Sequence, residues 1–213
     1  MITIALAKGR LAEQTIEILG KCGIDISVFS EKTRKLVLTD PTESFRVIFV
    51  KPADVPVYIE NGIADIGVCG SDTLLEEDKK LYELLDLGFA KCRLCIAGYA
   101  GFDGAKTGAP LRVASKYENI TKNYYHEKGE NVQVIKLNGS VELGPVMGLS
   151  DVILDIVESG STLRENGLAV LQEICPVSAR LVANKVSLKT KSDEIKPLVA
   201  KIKNALETVN DRN

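Results

Sequence analysis

The residue types best suited to chemistry crowd into 151 to 168, Asp-Val-Ile-Leu-Asp-Ile-Val-Glu-Ser-Gly-Ser-Thr-Leu-Arg-Glu-Asn-Gly-Leu. Val152, Ile153, Leu154, Ile156 and Val157 read as a strand buried on both faces, interrupted by Asp151 and Asp155. Glu158, Ser159, Gly160, Ser161, Thr162 and Leu163 follow as a turn into a helix. Glycine lets backbone N–H groups come close to an anion, and a helix start directs its partial positive charge to the same point. Serine and threonine hydroxyls add donors, so the order builds a phosphate cup. An ordinary βα turn with an N-capping serine would also account for Ser-Gly-Ser-Thr taken alone. The acids favour a ligand. A carboxylate near the carboxyl end of a buried strand is costly to desolvate, so Asp155 is expected to face a ligand hydroxyl, a metal or a cation.

A second set of groups is cationic. Lys8-Gly9-Arg10 sits where the first strand delivers its residues to the crevice at the strand ends, and two cations on a glycine turn suit phosphate. Arg34 and Lys35 precede an apolar segment, and Lys51 ends the strand Phe45 to Val50. Each taken singly reads as well as a solvated surface charge. Asn138-Gly-Ser-Val-Glu142 is a strand-to-helix turn whose carboxylate suits the helix dipole with or without a ligand. The one histidine, His126, lies on a helix beside Glu127 and Lys128, and a single histidine argues against a Ser-His-Asp triad and a multi-histidine metal site. Cys92-Arg-Leu-Cys95 falls in a strand, where residues three apart face opposite sides, and no second pair accompanies it. A Gly-x-x-x-x-Gly-Lys-Ser/Thr loop is missing from the sequence, so a P-loop nucleotidase is not expected.

The elements that must position these groups alternate strand with helix. Ile2 to Ala7 predicts a strand, Leu11 to Cys22 a helix ended by Gly23, and Phe45 to Val50 a strand. Pro52 to Pro56 starts a short helix closed by Gly62, with Pro56 in its first turn. Ala64 to Cys69 is a strand, and Gly70-Ser71-Asp72 caps the helix that runs through Leu75. Residues 90 to 99 read as a longer strand, followed by a glycine-rich loop. Leu111 to Ser115, Val132 to Leu137 and Asp151 to Val157 are strands, with helices at Asn119 to Gly129, Val141 to Gly148 and Thr162 to Ile174. The chain returns through an extended stretch, Val177 to Val186. It ends in a helix capped near Ser192, with Ile195, Leu198, Val199, Ile202, Leu206 and Val209 on one face. The expectation is α/β, two lobes each with a mainly parallel sheet flanked by helices: residues 1–90 plus 180–213, and residues 91–179 carrying the phosphate cup. Such lobes close a cleft between them.

At 213 residues, 45% hydrophobic and 26% charged with net charge −2, the chain reads as a globular protein without a general affinity for nucleic acid or membrane. The amino terminus places its apolar run before Lys8 and Arg10, the reverse of a signal peptide. Five cysteines, an odd number, then suggest reduced thiols in a cytoplasm.

These residues resemble the ATP phosphoribosyltransferase family. The resemblance rests on Leu6-Ala-Lys-Gly-Arg-Leu11, Ser30 to Leu36 with Arg34-Lys35-Leu36, Asp54-Val-Pro-Val-Tyr58 and Gly62-Ile-Ala-Asp-Ile-Gly67. Gly70-Ser-Asp72, Gly139-Ser-Val-Glu-Leu143 and Asp151 to Leu168 complete it, in the family's order. It implies a two-lobed fold like the periplasmic binding proteins. It implies a reaction in which N1 of ATP displaces pyrophosphate from C1 of phosphoribosyl pyrophosphate, opening histidine biosynthesis. On that resemblance Glu158 to Leu163 would hold the 5′-phosphate, with Asp151 and Asp155 on the ribose hydroxyls directly or through Mg²⁺. Arg34 and Lys51 would be catalytic, stabilising the departing pyrophosphate; the family commonly has arginine where this chain has Lys51. Lys8, Gly9, Arg10, Gly70, Asp72 and Glu142 would serve ATP, and Mg²⁺ would be held mainly by substrate phosphates. The chain resembles the short form, which implies a homodimer within a hetero-oligomer with a histidyl-tRNA-synthetase-like regulatory subunit. The rival readings are a two-lobed receptor for an anionic metabolite and a transferase acting on another nucleotide or base.

Overall fold

The structure is a computed structural model and describes residues 1–29, 33–104 and 108–210. It divides into two compact units, one of Met1–Ala90 with Ser178–Asn213 and one of Lys91–Val177. The second crossing therefore comes two residues before the expected boundary at 179. Ala179 already pairs with Gly70 in the first unit's sheet, and its N–H donates to the Phe89 carbonyl.

The first unit runs β1 (Ile2–Ala7), α1 (Arg10–Lys21), β2 (Val37–Thr39), β3 (Phe45–Val50), α2 (Val55–Glu60), β4 (Ile66–Gly70), α3 (Ser71–Glu77) and β5 (Tyr82–Asp86). α1 buries Ala12, Thr15, Ile16 and Leu19, the three-and-four spacing of one helical face, and the chain leaves it through Gly23 at φ 87°. The second unit contains β6 (Cys92–Gly98), β7 (Leu111–Ser115), α4 (Glu118–Glu127), β8 (Val132–Lys136), α5 (Leu143–Val146), β9 (Val152–Val157), α6 (Ser161–Glu165) and β10 (Ala169–Val177). The chain then re-enters the first unit as β11 (Ala179–Ala183), α7 (Lys185–Thr190) and α8 (Ser192–Asn210).

Both sheets are mixed, which corrects the expectation of mainly parallel ones. In the first, ordered β2-β3-β1-β4-β11-β5, β1 lies parallel to β3 and β4, while the β2–β3, β4–β11 and β11–β5 pairs are antiparallel. The reasons are local. β2 and β3 form a hairpin whose turn is tied by Asp40, which accepts from the N–H groups of Thr42 and Phe45. β11 enters at the end of β4 where β4 finishes, so it must run the other way. The second sheet, β10-β6-β9-β7-β8, keeps β7 parallel to β8 and β9 and pairs β6 antiparallel with β9 and β10.

The expected helix Thr162 to Ile174 is the clearest departure. α6 stops at Glu165, Gly167 turns the chain at φ 72°, and residues 169–177 form β10. β10 carries register irregularities at Val170/Gln172 and Glu173/Cys175. These shift its apolar residues out of strict alternation, and the resulting spacing mimics a helical face. Similarly α7, capped by the Asn184 side chain, which accepts from the Val186 and Ser187 N–H groups, occupies the end of the stretch read as extended.

The amino ends of strands β4 and β9 are closed structurally. Just before β4, the buried Asp65 accepts from the Thr3 N–H (2.8 Å), the Ser187 hydroxyl (2.7 Å) and Lys191 Nζ (2.7 Å). Burial alone would raise its pKa, but these donors outweigh it and hold the carboxyl below the ordinary value.

Candidate functional site

In the second unit the parallel strands β7, β8 and β9 all end at one sheet edge, where α/β sheets place ligands. β9 delivers the 158–163 loop there and β8 delivers the turn that carries Glu142, the residue just before α5. Gly160 takes a left-handed conformation, φ 72° and ψ 12°, and caps the amino end of α6. The loop is tied internally. Ser159 Oγ lies 3.0 Å from Ser161 Oγ, and the Ser161 N–H points at Ser159 Oγ at 3.3 Å. The buried Leu163 anchors the far side of the loop in the apolar layer with Ile153, Val157 and Leu168, while Glu158, Ser159 and Thr162 stay exposed. α6 has five residues, so backbone N–H groups and hydroxyls, more than a long helix dipole, supply the attraction for an anion.

Asp155 sits three residues before the loop and is half-buried. By strand alternation it shares the face of Ile153 and Val157, the face that α6 covers. One of its oxygens accepts from the Ile156 N–H at 2.9 Å. Asp151 is different, and its expected role on the ribose is corrected. It precedes β9, about 20 Å of strand away from the loop, and its carboxylate is taken by Arg112, whose N–H, Nε and Nη2 donate at 2.9, 3.2 and 2.6 Å. That bonding holds the Asp151 carboxyl below the usual carboxylate range.

In the first unit β3, β1 and β4 are adjacent and parallel, so their carboxyl ends bring together residues far apart in sequence. β1 delivers Lys8 and Gly9, with Arg10 opening α1. β3 delivers Lys51, and β4 delivers Gly70 with Ser71 and Asp72 behind it. Gly9 has φ 115°, a backbone that a side chain rarely adopts. Lys8 Nζ lies 5.6 Å from the centre of the Phe49 ring, and a cavity of about 520 Å³ opens beside this turn, with Lys8, Gly9, Phe29, Lys35 and Phe49 among its lining. Asp72 is buried and folds back over Gly70, where an added Cβ would come within 2.0 Å of its Oδ1. Burial, with help from Asp72 and Glu83, pushes the neighbouring Cys69 thiol up to about 12, which makes it inert.

Arg34 leads into a strand, β2, that sequence reasoning missed. β2 pairs Val37 with Ile48 and Leu38 with Val47, and the Phe49 N–H donates to the Leu36 carbonyl at 2.8 Å. Arg34 precedes β2 in irregular chain, two residues before the Leu36 carbonyl that this bond ties to β3. The signal was present: Leu36-Val-Leu38, then Thr-Asp-Pro-Thr-Glu-Ser, then Phe45 to Val50 is a strand-turn-strand pattern. Residues 30–32 of the expected Ser30 to Leu36 motif lie outside the described residues.

Other candidates fall away from these edges. Cys92 and Cys95 pack in the two different apolar layers of the second sheet, and His126 is exposed on α4. Among the described residues no group of three or more His, Cys, Asp or Glu is arranged to hold a metal ion, and no helix is long and apolar enough to cross a membrane.

The family model described as "HisG: ATP phosphoribosyltransferase" matches residues 51–204. The chain is 51% identical over 208 residues to an ATP phosphoribosyltransferase of Thermoanaerobacter sp. (strain X514), covering 97% of each chain. With that of Alkaliphilus metalliredigens it shares 52% identity over 202 residues, 95% of this chain and 96% of the relative. Among solved structures it superposes on a chain of the ATP phosphoribosyl transferase (HisG:HisZ) complex from Thermotoga maritima with a TM-score of 0.86. The identity is 36%, covering 98% of this chain and 100% of that one. The BvgS VFT2 domain of Bordetella pertussis shares the two-lobed fold alone, at 12% identity and a TM-score of 0.56 over 97% and 92% of the two chains.

Proposed function

The chain belongs to the ATP phosphoribosyltransferase family, and on that footing we propose how its residues carry the family's reaction, the attack of ATP N1 on C1 of phosphoribosyl pyrophosphate that opens histidine biosynthesis. The 158–163 loop binds the 5′-phosphate through backbone N–H groups and the hydroxyls of Ser159, Ser161 and Thr162. Asp155 accepts from the ribose hydroxyls. Arg34 and Lys51 bind the departing pyrophosphate. In a loose, oxocarbenium-like displacement negative charge grows on that group, so cations fixed beforehand stabilise the transition state more than the bound substrate. Lys8, Gly9 and Arg10 hold ATP phosphates. Gly70, Asp72 and Glu142 lie toward the nucleotide; a carboxylate repels phosphate, so Asp72 and Glu142 accept from hydroxyl or amino hydrogens. Adenine N1 carries its own lone pair, and no side chain is assigned as its base.

What supports this reading is one topological fact about each sheet: the 158–163 loop, Lys8 and Lys51 all follow the carboxyl ends of parallel strands. Mg²⁺ is proposed as a companion of the substrates. The described residues supply scattered carboxylates rather than a cage of three, a donor set that fits an ion held mainly by substrate phosphates. When bound, the ion would neutralise phosphate charge. A homodimer within a hetero-oligomer is proposed as well, because the Thermotoga maritima structure is a HisG:HisZ complex. The experiment is to mix the protein with ATP, phosphoribosyl pyrophosphate and Mg²⁺, with and without a HisZ-type, histidyl-tRNA-synthetase-like partner, and follow absorbance of N1-(5-phosphoribosyl)-ATP. Product in either mixture is expected; none in both overturns the reading.

A further inference from the structure

We infer that Arg164 is a positioning residue that locks the peptide between Ser159 and Gly160 in the orientation a phosphate needs. This rests on the phosphoribosyl pyrophosphate reading of the loop. Arg164 Nη1 donates to the Ser159 carbonyl at 2.9 Å, reaching back across the turn from the fourth residue of α6. A planar trans peptide points its C=O and the following N–H in opposite directions. Holding the Ser159 oxygen against the guanidinium therefore aims the Gly160 N–H the other way. Were this peptide to flip, a carbonyl oxygen would replace that donor and repel the anion.

The geometry around Gly160 fits the same role. A Cβ built there would lie 3.3 Å from Arg164 Nη1, tighter than ordinary contact, so the bare Cα leaves the room in which the guanidinium crosses the loop. The left-handed backbone of Gly160 and the bond from the Arg164 N–H to the Gly160 carbonyl (3.1 Å) bring the arginine's stem under the residue it clamps. Glycine at 160 thus has two reasons: its own φ of 72° and the passage of this side chain. Arg164 acts through the peptide and does not itself touch substrate. A charged donor on a carbonyl is a strong hydrogen bond, and losing it frees a peptide that glycine makes easy to rotate.

Calorimetric titration of phosphoribosyl pyrophosphate with Mg²⁺ into the full chain tests this, using Arg164→Met and Arg164→Lys beside the unaltered protein. Arg164→Met is expected to weaken phosphoribosyl pyrophosphate binding roughly tenfold to a hundredfold, the worth of one charge-assisted bond. Arg164→Lys, which keeps a donor within reach of the carbonyl, is expected to recover part of the loss, and ATP binding should stay within twofold in both. The amide resonance of Gly160 in the ligand-free Met variant should shift and its hydrogen exchange quicken, since the lock acts before substrate arrives. Binding by Arg164→Met within twofold of the unaltered protein overturns the inference. So does weakened binding with an unperturbed ligand-free Gly160 amide, which would make Arg164 a direct phosphate ligand. Should the Met variant fail to fold, the Lys variant carries the same two readouts. Failure of the unaltered chain to bind phosphoribosyl pyrophosphate would instead sink the functional reading beneath it.

Discussion

In the proposed function, the carboxyl edges of the two sheets hold an anion in different ways. In the second unit one continuous stretch, 158–164, makes the site from its own backbone and ties it with Ser159, Ser161 and Arg164. In the first, cations at positions 8, 10 and 51 share an edge only because β3 and β1 lie side by side. A backbone cup suits a group that must stay put, since its donors are fixed at little entropic expense. Separate lysines and arginines suit charge that develops during the reaction. The amino ends of β4 and β9 offer a second contrast: Asp65 and Asp151 there are bound by Lys191 and Arg112, and work for the fold.

The largest effect should come from the scattered cations. Arg34→Ala or Lys51→Ala is expected to lower kcat by about 10² to 10³, the cost of removing one preorganised charge from a transition state, with little change in the KM for phosphoribosyl pyrophosphate. Steady-state kinetics with the proposed HisZ-type partner would measure it, and an effect confined to KM would erase the distinction between the two edges.

Gly160→Val sharpens the other half. A β-branched residue at φ 72° is strained and crowds Arg164, so binding of phosphoribosyl pyrophosphate should weaken about a hundredfold while ATP affinity holds. Titration of both substrates separates that from a general loss of structure.

Asp65→Asn should leave substrate binding intact and lower stability by about 2–3 kcal/mol, because Lys191 loses its partner and three donors lose a charged acceptor. The pH dependence has a definite sign. Asp65 has a lower pKa folded than unfolded, so its contribution is complete above the unfolded carboxylate value near 4 and fades as pH falls through the folded value. Denaturant melts of the unaltered protein and the Asn variant should converge once the pH has fallen below the folded value. The smallest effect is expected for Asp151→Asn: a modestly lower melting temperature from the loss of the Arg112 pairing, and unchanged phosphoribosyl pyrophosphate affinity. A large affinity loss would return Asp151 to the site.

Much of this was legible in the residues. The strand Val152–Val157, its glycine turn and its flanking hydroxyls are contiguous, so local chemistry was enough to read them as an anion cup. Lys8 and Lys51 could be placed at strand ends for the same reason. Arg34 could be suspected but not placed, since its position depends on the β2–β3 pairing. β10 was misread because two irregularities displaced its apolar residues into a helical spacing.

The amino-acid sequence by itself determined the order of strands and helices in most of the chain, the glycine turn after β9 and the types of charge on offer, all of which depend on neighbours within a few residues. Only the tertiary structure decided that Asp151 belongs to Arg112, that β2 pairs with β3, and that Arg164 turns back on the Ser159 carbonyl. Those outcomes follow from strand register, strand direction and side-chain reach, which local residue pattern leaves open.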